Sequence, residues 1–177
     1  MFEKLTKPLF IVLFSISTST MALESTAIFG GGCFWCVEAD FDKVPGVLKT
    51  VSGFDGGHIH NPSYQKVSAG TTNYVEVVKV TFDPRVVSYD QLLAYYWRHI
   101  DPTAENSQFC DKGRQYRSVI FYLNEKQKKI ALDSKKSIQN KLKPVYTEIL
   151  PSTTFYPAED YHQNYYKKNP LRYKYYR

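Results

Sequence analysis

Hydrophobic and polar positions divide this chain into a short series of elements. Residues 25–29 read as a strand. Phe34, Val37, Phe41 and Val44 then recur at helical spacing and predict an amphipathic helix ended by Pro45-Gly46. Residues 47–54 read as a second strand. Residues 74–82, rich in β-branched and aromatic side chains, read as a third, stopped by Asp83-Pro84. Ser88 with Gln91 forms a capping box for a helix striped by Leu92, Leu93, Tyr96, Trp97 and Ile100, and Asp101-Pro102 ends it. Residues 118–123 predict another strand. Asn124 with Gln127 caps the next helix, in which Ile130, Ser134, Ile138 and Leu142 lie four apart among solvated lysines. A last strand over residues 145–150 stops at Pro151. Residues 55–64 and 103–117 are long loops, and residues 155–177 carry too little regular pattern to assign.

The order is β-α-β-β-α-β followed by α-β. Its first six elements follow the split plan of a ferredoxin-like sandwich. The expected fold class is therefore α+β: a ferredoxin-like α/β sandwich with a mixed sheet, long loops and an irregular C-terminal tail wrapped on the core. No repeat or linker interrupts residues 23–177, so one domain is expected there.

The chemistry concentrates at Gly30-Gly31-Gly32-Cys33-Phe34-Trp35-Cys36, between the first strand and the first helix. Glycines let the backbone turn sharply there. Cys33 falls at the helix start, where free N–H groups and the positive helix end favour a thiolate and lower a cysteine pKa below its free value of ~8.5. Cys36, three residues on along the same helix face, is in disulfide reach. The same pair also reads as a buried structural pair or as a thioredoxin-like redox pair. A zinc site would need a second ligand pair, and one other cysteine, Cys110, exists. Alternation in the third strand places Tyr74, Glu76, Val78, Val80 and Phe82 on one face. Glu76 is the one carboxyl on that apolar face. Desolvation there raises its pKa and makes it a proton donor; at a sheet edge it would be ionised in water. Taken locally, His58 and His60 read as solvent-facing, Tyr64 as a packing residue, His99 as a helix-terminus residue, Cys110 as a buried thiol and Asp111-Lys112-Gly113 as a turn.

Composition changes this picture little. At 177 residues, 43% hydrophobic and 23% charged, the chain is an ordinary globular one. Its 15 tyrosines are unusual, and many fall in the tail. The net charge of +6 reads as a solvated surface, although the Tyr/Lys/Arg tail also has the composition of a binding segment for nucleic acid or an anionic surface. The N-terminus carries an export pattern: Lys4 and Lys7, an apolar core over residues 9–16, and a small-residue site at Thr20-Met21-Ala22. Cleavage after Ala22 and a periplasmic or secreted location are expected. Three cysteines are an odd count for an oxidising compartment and suit thiols that cycle.

From about Ile28 to Tyr176 the motifs together resemble the A class of peptide methionine sulfoxide reductases. They are Gly32-Cys33-Phe34-Trp35, Gly56-Gly57-His58, Asn61-Pro62-Ser63-Tyr64, Glu76-Val77-Val78, Gln115-Tyr116-Arg117-Ser118 and Pro157-Ala158-Glu159-Asp160-Tyr161-His162-Gln163. The resemblance implies that Cys33 attacks the sulfur of methionine-S-sulfoxide in proteins or peptides. It implies that Glu76 protonates the departing oxygen, with Tyr64, Tyr116 and Asp111 around it and Phe34 and Trp35 forming the methyl pocket. Cys33 then becomes a sulfenic acid, condenses with a second thiol, and is reduced by a thioredoxin-like dithiol without metal or organic cofactor. Two departures stand out. Cys36 occupies a position where many members carry glycine, and residues 155–177 hold no cysteine where many carry a resolving one. The resolving candidates are therefore Cys36, by spacing, and Cys110, beside Asp111, or else an external thiol. An exported enzyme would need a donor in its own compartment. A monomer is expected. The nearest rival is an exported thiol–disulfide oxidoreductase using Cys33 and Cys36, which leaves Glu76 and the tyrosine-bearing loops without a role.

Overall fold

The computed structural model describes residues 23–176; the expected leader lies outside them. The elements are β1 (Ser25–Gly30), α1 (Phe34–Phe41), β2 (Val47–Asp55), α2 (Tyr64–Ser68), β3 (Val75–Phe82), α3 (Tyr89–His99), β4 (Ser107–Gln108), β5 (Asp111–Lys112), β6 (Val119–Tyr122), α4 (Glu125–Gln139), β7 (Glu148–Pro151), β8 (Tyr156–Pro157), α5 (Tyr165–Lys168) and α6 (Pro170–Tyr176). Single 3-10 turns lie at Arg114–Tyr116 and Asp160–His162.

The main sheet has the order β7-β6-β1-β3-β2-β8. Its inner four strands, β6-β1-β3-β2, are antiparallel and interleaved as the ferredoxin-like plan requires. β7 joins β6 in parallel after the α4 crossover, which makes the sheet mixed. Alternation along the strands divides the burial. Ala27, Phe29, Val78, Val80 and Phe82 enter the helix-covered core, where Phe29 stacks on Phe41 at 4.9 Å and on Tyr96 at 5.2 Å. Ile28, Val75, Val77, Val119 and Phe121 form a smaller cluster with Leu150 and Phe155. Truncating a buried Phe such as Phe29 costs about 3–5 kcal/mol, so this packing outweighs the ~1 kcal/mol of any single helix cap. The Ser88/Gln91 capping box is present, with Ser88 N–H donating to Gln91 Oε1 at 2.8 Å and Gln91 N–H to Ser88 Oγ at 3.2 Å.

Several boundaries differ from the pattern. α1 ends at Phe41, and a last turn closes from Val44 N–H to the Phe41 carbonyl. Leu142 lies beyond the α4 C-cap Asn140 and is exposed; Gln127 and Ala131 are the buried positions of that helix. The edge strand β7 starts at Glu148 because the residues before it are engaged elsewhere. Tyr146 N–H donates to the Pro102 carbonyl at 2.8 Å, and the Thr147 hydroxyl pairs with the Ser118 hydroxyl at 2.9 Å.

The tail is the largest correction, because it is ordered into β8, α5 and α6. β8 extends the sheet at Gly53 and Phe54. Gln163 accepts from Ser52 N–H and donates to the Ser52 carbonyl, each at 2.9 Å. Asn164, left-handed at φ 53°, donates its N–H to Glu38 Oε2 at 2.8 Å. Helices of 4 and 7 residues are too short to display a period, which is why the pattern hid them.

Candidate active site

Gly32 sets the approach to the helix. Its φ of +91° is the left-handed side of backbone space, and a Cβ there would meet Gln108 Cβ at 2.6 Å. Cys33 is the N-cap of α1 and is 7% exposed; its carbonyl accepts from Cys36 N–H at 3.0 Å and from Val37 N–H at 3.3 Å. The next free donor of the helix start, Phe34 N–H, goes to Glu76 Oε2 at 3.1 Å.

That arrangement corrects one expectation. The Cys33 thiol is pushed up, not down. Its hydrogen bond with Cys36 is the largest cause, followed by burial and by the nearby Glu76 carboxyl; the Trp35 N–H opposes them. These three causes outweigh the Trp35 N–H and favour a neutral resting thiol, while the neighbouring donor Phe34 N–H serves Glu76 instead.

Glu76 matches the buried alternative. It is 1% exposed, and burial pushes its carboxyl up to about 8 against the pull of Phe34 N–H, with the Asp111 and Cys36 charges adding to the rise. Its Oε1 makes no hydrogen bond to the described residues. A carboxyl in this state keeps its proton at neutral pH and holds one oxygen free toward the site.

Two tyrosines arrive from separate segments tied to each other. Gln115 Nε2, in the turn that carries Tyr116, donates to the Ser68 carbonyl at the end of α2 at 3.1 Å, and α2 begins at Tyr64. Tyr64 N–H is anchored on Glu159 Oε1 at 3.1 Å, and its ring lies 6.0 Å from Phe34 and 4.1 Å from His162. Burial and then the Glu76 carboxyl raise both phenols, that of Tyr116 to about 12, so both remain proton donors. The local packing reading of Tyr64 is thus half the story: the ring packs while the phenol joins the Glu76 group.

Asp111 is delivered by the β4–β5 hairpin, opposite Gln108. Gln108 is locked by accepting from Asp101 N–H at 2.8 Å and donating to the Asp101 carbonyl at 2.7 Å. The turn of that hairpin holds Phe109 at φ 51°, and Cys110 is exposed, which corrects the buried thiol expected there. Cys36, by contrast, is buried against Cys33.

Phe34 is wholly buried, its ring 5.1 Å from that of His162. Trp35 beside it is partly exposed. Trp35 Nε1 donates to His162 Nδ1 at 3.0 Å, and its ring stacks on Tyr165 at 3.7 Å and 7°. His162 is 1% exposed, and burial lowers its pKa, so it accepts this bond as a neutral ring. His162 belongs to a motif already noted but had no assigned role, and Tyr165 and Tyr176 were not singled out. The crowding of tyrosines in the tail was the available signal.

His58 and His60 are both exposed, with His58 Nε2 near Asn73 Nδ2 at 2.9 Å. Among the described residues no three His, Cys, Asp or Glu side chains group as a metal site.

The family model described as peptide methionine sulfoxide reductase matches residues 25–177. The chain is 51% identical over 154 residues to peptide methionine sulfoxide reductase MsrA of Bacillus licheniformis, covering 85% of each chain. It is 49% identical over 162 residues to MsrA/MsrB of Vibrio cholerae, covering 90% of this chain and 43% of that longer protein. The solved structure of methionine sulfoxide reductase A of Corynebacterium diphtheriae superposes with a TM-score of 0.82 at 36% identity, covering 86% of this chain and 78% of that one. With a buried thiol pair at a helix start, a protonated carboxyl tied to that start and phenols grouped around both, the chain belongs to the peptide methionine sulfoxide reductase family, in its A class.

Proposed function

We propose that Cys33 is the nucleophile and Glu76 the general acid of a peptide-methionine (S)-S-oxide reductase. The observation that carries this reading is the Glu76 carboxyl, bound through Oε2 to Phe34 N–H beside Cys33 while Oε1 stays unpartnered among the described residues. The Cys33 sulfur attacks the sulfoxide sulfur. Glu76 protonates the oxygen, and the phenols of Tyr64 and Tyr116 donate to it as negative charge develops. Phe34 and Trp35 hold the methyl side. Methionine leaves, and Cys33 is left as a sulfenic acid.

Cys36 then condenses with it, releasing water and forming the Cys33–Cys36 disulfide, which a thioredoxin-like dithiol reduces. The contact of Cys36 with Cys33 supports this choice over the exposed Cys110. The chemistry runs on thiols and proton donors, and we assign it no metal or organic cofactor. We further propose that residues 1–22 are an export leader removed after Ala22, that the mature enzyme acts as a monomer in the periplasm or outside the cell, and that its dithiol donor shares that compartment. Mass measurement of the mature N-terminus after expression with the leader tests the first of these.

The test of the reaction is incubation of the fully reduced protein, without added reductant, with separate S and R epimers of a methionine sulfoxide peptide. One equivalent of methionine from the S epimer alone, with a Cys33–Cys36 link by mass spectrometry, is the expected result. No methionine from either epimer, with turnover of disulfide substrates, would favour a thiol–disulfide oxidoreductase.

A further inference from the structure

A small apolar cavity lies beside the thiol pair, between α1 and α3. Cys36 lines it and Cys33 does not. Helical spacing explains the separation. Cys36 and Asp40 stand four apart on the stripe of α1 that meets α3, where the Tyr95 hydroxyl donates to the Asp40 carbonyl at 3.0 Å. Trp35 points elsewhere, to His162 and Tyr165 of the tail. The pair thus has two sides, and Cys36 is the sulfur presented on the α3 side.

The cavity measures about 10 Å³, room for one water at most and none for the thiol of another protein. Of the residues that line it, Phe109 alone is exposed, at 71%. Phe109 therefore stands where the cavity meets solvent. Its position is unfavourable on two counts. It holds the first of two turn positions between Gln108 and Asp111, at φ 51°, where glycine, asparagine and aspartate fit best. It also leaves most of a large apolar ring in water. A smaller residue would ease the turn, so the ring fits a residue kept for an apolar partner. Asp111, two positions on, belongs to the other side, where its Oδ2 accepts from the Tyr176 hydroxyl and the Tyr176 ring meets Trp35 edge-on at 6.0 Å.

We propose that Phe109, with His99 and Ile100 at the end of α3, forms the docking surface for the thioredoxin-like reductant, which attacks Cys36 on the side away from Trp35. The proposal rests on the Cys33–Cys36 disulfide of the reading above. Once that bond has formed, the group beside the cavity is a disulfide sulfur, and a thiolate is what acts on it. A protein that carries the thiolate seats at the mouth, against Phe109. One reductant thiolate bonds the Cys36 sulfur as the Cys33–Cys36 bond breaks, and Cys33 leaves with the electron pair and takes up a proton. The reductant's second thiol then gives up its proton and bonds the first reductant sulfur. The mixed disulfide breaks, and Cys36 returns as a thiol. Two electrons pass to the cysteine pair, and the reductant departs oxidised.

Phe109→Asn removes the ring and supplies a residue suited to the left-handed turn, so the fold should be at least as stable as wild type. With a thioredoxin as reductant, its KM should rise about tenfold, the scale of an apolar anchor lost from an interface. Cycling driven by dithiothreitol, the KM for an S-sulfoxide peptide and single-turnover methionine formation should keep their wild-type values. A thioredoxin lacking its second cysteine should be trapped on Cys36 of the wild-type enzyme, read by peptide mapping of the mixed disulfide. An unchanged KM for thioredoxin, a raised KM for the peptide, or a trap on Cys33 or Cys110 would overturn the proposal. So would equal losses with thioredoxin and dithiothreitol, which is how a residue that only props the site behaves. Failure of the underlying reading looks different: the wild type would then form no Cys33–Cys36 link after a single turnover, whichever reductant follows.

Discussion

Phe34 N–H and Glu76 Oε2, 42 residues apart in sequence, lie 3.1 Å apart in the fold. The bond joins the first turn of α1 to β3, and with it the thiol-bearing end of the helix to the buried Glu76 carboxyl. The helix start thus serves the carboxyl through Phe34 N–H and the thiol through Trp35 N–H.

Glu76→Gln keeps an oxygen for Phe34 N–H and removes the transferable proton. The single-turnover reductase step should fall by about 10²–10⁴-fold while Cys33 still alkylates. Rapid quench with a methionine-S-sulfoxide peptide measures this. Turnover within a few-fold of wild type would take Glu76 out of the mechanism.

The acid form of Glu76 is lost as pH rises through about 8, so the reductase step should decline across that region. Stability should follow the same group. Its pKa lies above the ordinary 4.5, so the folded chain holds a proton the unfolded chain has released. The stabilisation is complete below about 4.5 and is lost as pH rises toward about 8. Urea titrations across that window should show a slope that Glu76→Gln reduces; an unchanged slope would mean that Glu76 is ionised in the fold.

Glu38 sets a second pH dependence away from the chemistry. It is wholly buried in α1, accepts Asn164 N–H at the start of the tail helices, and is raised to about 7, mainly by burial. The sign is the same: stability falls as pH rises from 4.5 toward 7. Glu38→Gln should flatten that limb, and proteolysis of α5 and α6 should become less pH-dependent. Equal cleavage profiles for the two proteins would argue against it.

Cys36→Ser should still yield one equivalent of methionine but lose cycling with a thioredoxin-like dithiol. Cys110→Ser, at an exposed position, should cycle normally. Steady-state assays beside single turnovers separate the two. Normal cycling by Cys36→Ser would pass the resolving role to Cys110 or to the reductant.

His162→Phe preserves ring stacking but strands the Trp35 indole N–H. Leaving that donor unpaired should cost about 1–3 kcal/mol in denaturant unfolding. With Trp35 holding the methyl side of the substrate as proposed, a raised KM should accompany the loss. A variant as stable as wild type would mean that the indole finds another acceptor.

Some of this molecule was legible residue by residue. The inner strands and long helices announced themselves through periods of two and of 3.6, because each buries one face over many residues. Caps such as Ser88/Gln91 are local bonds and can be read locally. The Gly-Cys-x-x-Cys segment and the carboxyl on the apolar face of β3 were visible for the same reason: their meaning depends on neighbours within a few positions.

Other features were decided only by the tertiary structure. No local rule says whether Phe34 N–H serves the Cys33 sulfur or Glu76, or that Cys36, burial and the Glu76 carboxyl together push the thiol up. Cys110 turns outward because Phe109 adopts a left-handed conformation in a two-residue-strand hairpin, which alternation cannot signal. The tail helices hold their places through bonds to Ser52 and Glu38, more than a hundred residues away. Periodicity reports which face of an element is buried. It does not report which distant side chain meets that face, and at this site that meeting determines who holds each proton.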